Sequence, residues 1–154
     1  MPPIQHIHPI LVHFPIVFIL CLAALDLIAT ARGSVVTGRG ALGNVSSGLA
    51  ILAGGFATVT YIFGGIALDV AESGGFHSDI AETHEGLGEF TAIAFAIWAL
   101  FRVILWWRDV RVNRVFSGVV SLVEIAGAVL VLSTAYYGGQ LVYDLGVNVA
   151  HAAN

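Results

Sequence analysis

Six histidines carry most of the chemistry available to this chain: His6, His8, His13, His77, His84 and His151. Imidazole serves as an axial ligand to haem iron and as a ligand to copper, zinc or non-haem iron, so its placement decides which of these is open. The stretch "HPILVHFPI", residues 8–16, sets two histidines among two prolines at the start of a long apolar run. His84 lies a turn or so inside another such run. Inward from it at helical spacing come Gly88, Thr91, Phe95, Trp98 and Arg102, a polar stripe that must face protein, because a lipid-facing arginine or histidine is costly. The stripe inward from His13, with Val17, Leu20 and Ala24, is an ordinary core or lipid face.

The elements that must hold these groups follow from composition. Of 154 residues 58% are apolar and 10% charged, against about 25% charged in a soluble chain. The chain is therefore expected to be an integral membrane protein, with the lipid bilayer as its first partner. Four apolar stretches have the roughly 20 residues that cross a bilayer: Pro9 to Ala31, Leu42 to Asp69, Ile80 to Trp107 and Val115 to Tyr143. The first is too long, and too poor in preceding positive charge, for a secretory signal. Short connections make the expected fold class all-α, an up-down-up-down four-helix bundle in a single transmembrane domain, residues 1–154. Lysine is absent and no basic run occurs, which excludes a nucleic-acid partner. The single cysteine, Cys21, offers neither a disulfide nor a thiolate metal site and is expected to fill core space.

Orientation follows from arginine. Arg32 and Arg39 lie in the first connection and Arg108, Arg111 and Arg114 in the third, so those loops are expected to be cytoplasmic. Asp69, Glu72, Asp79, Glu82, Glu85, Glu89 and Asp144 gather at the other end with both termini, which places the chain in a bacterial inner membrane with both termini in the periplasm. Trp106 and Trp107 suit the inner aromatic belt, and Tyr136, Tyr137 and Tyr143 the outer. All six histidines then fall at the outer end. For His6, His77 and His151 the expected role is ordinary interfacial solvation.

His13 and His84 are the expected axial ligands of a haem b held between diagonal helices, with Gly88 admitting the ring face and no CxxCH for covalent attachment. Depth leaves the partner open. His13 precedes Arg32 by 19 residues and His84 precedes Arg102 by 18, but His8 precedes Arg32 by 24 and His84 precedes Arg108 by 24. On the second count His8 is level with His84; otherwise it reaches inward as a hydrogen-bond donor behind a ligand, or as a third ligand. Most of the 18 glycines are expected to serve close helix packing. Deeper in, Asp26 and Arg102 share a depth and are expected to form an intramembrane ion pair, with Glu124 the alternative partner.

"HPILVHFPI", "LDLIA", the helical His84 and "YYGGQLVYDLGVNV" resemble the bacterial four-helix membrane family catalogued as domain of unknown function twenty-two thirty-one, nearly end to end. His8, Pro9, His13 and Pro15 match its opening HPxxVHFP. Gly138, Gly139, Leu141, Val142, Tyr143 and Gly146 match its closing GGxLVYxxG. The resemblance implies the four-span architecture and directs functional attention to His8, His13 and His84.

The leading expectation for function is a b-type cytochrome-like electron-transfer protein or subunit, a carrier rather than a catalyst, with quinol or a membrane redox complex and an outer-face redox protein as partners. The alternative is a non-haem copper, zinc or iron site built from His8, His13 and His84, with Glu82 or Glu85 adding an oxygen. A cofactor-free accessory subunit ranks third. A transporter ranks last, because no helix breaks flank a midplane site.

Overall fold

The computed structural model describes residues 6–147 and 149; His151 lies outside the described residues. Its elements are α1 (Ile7–Leu11), α2 (His13–Ala31), α3 (Ala41–Ser73), α4 (Asp79–Trp107) and α5 (Arg114–Tyr143). Together α1 and α2 make the first of four spans, Ile7–Ala31. They are separated at Val12 because Pro15 offers no N–H to the Leu11 carbonyl and its ring crowds that oxygen. Pro9 falls in the first turn, where a missing N–H costs no helix bond.

The molecule is an all-α membrane four-helix bundle, in the order α2, α3, α4, α5 around the bundle, with α1 packed on α3 and α2. Helix α3 runs past the expected end at Asp69 to Ser73, and Gly74 stops it. An apolar stretch marks where lipid begins and ends, whereas the helix continues for as long as its own backbone bonds can form. Ser78 opens α4 by accepting from the Ile80 N–H, and Asn113 opens α5 by accepting from the Phe116 N–H. Both caps satisfy donors that the helix itself leaves free.

Only 22–33% of each span is buried inside the bundle, and large apolar side chains such as Ile97, Leu100 and Leu122 stand exposed. In lipid these surfaces are already solvated, so close packing must hold the helices together. A seam of Ala50, Ala53, Gly54 and Ala57 on α3 supplies it. A Cβ at Gly54 would lie 2.7 Å from the Phe95 carbonyl oxygen and 2.8 Å from Ala99 Cβ, so α3 and α4 touch nearly backbone to backbone. Cys21 is exposed rather than filling the core.

The expected pair between Asp26 and Arg102 is present, and Glu124 joins it. Arg102 Nη1 donates to Asp26 Oδ2 at 2.7 Å and to Glu124 Oε1 at 2.6 Å. Arg102 Nη2 donates to the Val36 carbonyl and to Ser46 Oγ. Ser46 Oγ lies 2.7 and 2.6 Å from the two Asp26 oxygens, and the Trp98 indole N–H reaches Glu124 Oε1. All three charged residues are fully buried. This network ties α2, α3, α4, α5 and the first loop together at one depth.

Candidate paired-imidazole site

The fold brings two of the sequence-selected histidines together, and they are His8 and His84. Their ring centroids lie 6.1 Å apart with the planes at 76°. His8 comes from α1 and His84 from the second turn of α4, near its N-terminus, so the rings meet across the bundle.

Each ring is fixed from behind in the same way. His8 Nδ1 lies 3.0 Å from the Thr60 carbonyl oxygen on α3, and His84 Nδ1 lies 3.0 Å from the Thr134 carbonyl oxygen on α5. A carbonyl oxygen only accepts, so Nδ1 carries the proton in both rings and donates. In the neutral imidazole the lone pair then belongs to Nε2. This arrangement orients a metal-binding histidine and raises its basicity.

Glycine makes each approach possible. A Cβ on Gly64 would lie 2.9 Å from His8 Cε1, and one on Gly138 would lie 2.8 Å from His84 Cε1. Both glycines sit one turn beyond the threonine whose carbonyl holds the ring. Beneath His84, Thr134 Oγ1 lies 3.0 Å from Thr91 Oγ1, and Thr91 Oγ1 also donates to the Leu87 carbonyl. Both imidazoles are part-buried, at the mouth of the bundle.

Several expectations need correction. His13 does not face His84: its side chain is exposed, with Nδ1 3.4 Å from the carbonyl of Ile10 on the preceding turn. Val17, Leu20 and Ala24 on its stripe are exposed as well, so His13 shares the lipid-facing side of α2. The three-histidine site is therefore not assembled, and no group of three or more His, Cys, Asp or Glu fit to hold a metal ion occurs among the described residues. Glu82, Glu85 and His77 are exposed. A Cβ on Gly88 would lie 3.8 Å from Tyr61 Cδ2, an ordinary contact that an alanine could make, so Gly88 forms no special wall.

The parts missed by sequence reasoning are Thr60, Gly64, Thr134 and Gly138. Sequence reading gives Gly64 no individual role and Gly138 only a place in the closing motif, yet "TYIFGG" and "TAYYGG" place the same threonine–glycine spacing on α3 and α5. That recurrence was the available signal.

No curated protein and no solved structure matches the chain. The family model described as "Predicted membrane protein (DUF2231)" matches residues 5–151, which takes in every element described above, and the chain belongs to that family of membrane proteins.

Proposed function

We propose that His8 and His84 are the axial ligands of a haem b, and that the protein is an electron carrier, or the electron-carrying subunit of a membrane complex, with its site at the periplasmic face of a bacterial inner membrane. The observation that carries this reading is the pair of opposed imidazoles, each oriented by a backbone carbonyl and seated over a glycine. The ring centroids lie 6.1 Å apart, and with Nδ1 of each ring donating to a carbonyl both Nε2 lone pairs would be available to hold one iron. Ligand count favours haem over a bare ion, because the porphyrin supplies four nitrogens and two imidazoles complete the iron. Structural zinc takes four protein ligands, and only two converge among the described residues.

Bound iron supplies one-electron chemistry. The chain's own residues do the rest: Thr60 and Thr134 hold the imidazoles in the tautomer that leaves Nε2 free, and the apolar spans below exclude water. The exposed carboxylates Asp69, Glu72, Asp79, Glu82, Glu85 and Glu89 surround this end and favour a cationic outer-face partner. Quinol or a membrane complex would serve as the lateral partner.

The convergence of two imidazoles without a third His, Cys, Asp or Glu beside them among the described residues favours a second reading, a copper ion held by the two imidazoles alone. Protein purified from its native membrane is expected to show a Soret band, sharp reduced α and β bands and one iron per chain. A colourless protein carrying copper promotes the second reading. A colourless, metal-free protein overturns both and leaves an accessory subunit whose histidines pack the bundle mouth.

The orientation is tested separately. A reporter fused after Asn154 is expected to be active only outside the inner membrane, and a tag between Arg32 and Arg39 to resist external reagents in sealed cells. Labelling of that tag from outside inverts the map.

A further inference from the structure

The two imidazoles are held by parts that recur along the chain. His84 follows His8 by 76 positions, and Thr134 and Gly138 follow Thr60 and Gly64 by 74. Recurrence extends to the far end of the bundle. Arg32 N–H donates to the Ile28 carbonyl, and Arg108 N–H to that of Ile104. Ser34 N–H donates to the Ala29 carbonyl, and Val110 N–H to that of Leu105. Gly33 and Asp109 between them take the same left-handed conformation, at φ 77° and 49°. Each of these pairs is again 76 positions apart. In the bundle α2 stands opposite α4 and α3 opposite α5, as a two-fold axis along the bundle requires.

The buried network lies across that axis, and there the halves differ. Asp26 and Arg102 are 76 positions apart, so the same site holds an acid in one half and a base in the other. Ser46 corresponds to Val120 and Ala50 to Glu124 at the 74-residue spacing, and all four are buried. Two first hairpins facing each other would set Asp26 against Asp26. Two second hairpins would set guanidinium against guanidinium. Two second hairpins would also bring two copies of Glu124, but only the unlike pairing sets a single guanidinium between two carboxylates with no second guanidinium opposite it, and opposed like charges are how interfaces reject a wrong partner.

We propose that the chain is a fused pair of one histidine-bearing helical hairpin, related by a two-fold axis along the membrane normal, and that the network of Asp26, Arg102 and Glu124 on that axis makes the first hairpin pair with the second rather than with its own kind. The proposal does not depend on what lies between the imidazoles.

Its test is to exchange the network across the axis within the full chain. D26R alone sets two arginines together, and R102D alone sets three acids together; each is expected to lower the yield of monodisperse protein in detergent on the order of tenfold. The sixfold variant D26R/S46V/A50E/R102D/V120S/E124A moves the three charged residues and the Ser46 hydroxyl to the opposite half and leaves Trp98 in place. It is expected to recover to within about twofold of the parent, with a thermal midpoint above that of either single variant. A sixfold variant no better than the single variants overturns the proposal, because positions related by the axis would then not be interchangeable. Single variants as well folded as the parent overturn it equally, since the charges would then decide nothing.

Discussion

His8→Ala and His84→Ala are each expected to abolish the six-coordinate haem spectrum, while His13→Ala keeps it. Each of the first two removes one of two facing imidazoles, whereas His13 is exposed and bonded within its own turn. Gly64→Ala and Gly138→Ala extend the same expectation without altering either of the two proposed ligands. The added methyl would come within 2.9 and 2.8 Å of the imidazoles, so each ring must leave its carbonyl. Loss of such oriented support weakens metal affinity roughly 10- to 100-fold, and the two glycine variants should suffer alike because their surroundings match. Haem titration of the purified variants followed at the Soret band measures this. Retention of the low-spin spectrum in His8→Ala together with its loss in His13→Ala would return His13 to the ligand role and set aside the facing-ring geometry.

Arg102→Leu is expected to be the most destabilising apolar substitution in the chain. It leaves Asp26 and Glu124 buried with no cation between them, and such uncompensated burial costs about 3–5 kcal/mol. Replacing Asp26, Arg102 and Glu124 together by apolar residues should cost far less, because no charge is then stranded. Glu124 Oε2 and Arg102 Nε already lack a hydrogen-bond partner in the protein, so the network is not fully satisfied even when intact. Thermal unfolding in detergent compares the two variants. A triple variant less stable than Arg102→Leu would show that the network holds the bundle by its net attraction rather than by charge balance.

Much of this protein is legible in its sequence. Composition and run length give four apolar helices, because the bilayer demands about 20 apolar residues per span whatever the tertiary contacts. The stripe from His84 to Arg102 reads correctly as protein-facing, since Thr91, Phe95 and Arg102 are buried, and the penalty for a charge in lipid is strong enough to set the facing of a whole helix. Asp26 and Arg102 pair at their shared depth for the same reason. The choice between His8 and His13 belonged to the tertiary structure. The equal 24-residue spacing to Arg32 and Arg108 already put His8 level with His84, but depth along a helix says nothing about which side of it a ring occupies. The break before Pro15 and the packing of α1 on α3 turn His8 toward the centre and leave His13 facing outward. Nor could spacing reveal that Thr60 and Thr134 act through their main-chain oxygens, because every residue has a carbonyl. Only the approach of a ring over Gly64 or Gly138 selects one, and that approach exists once the helices have packed.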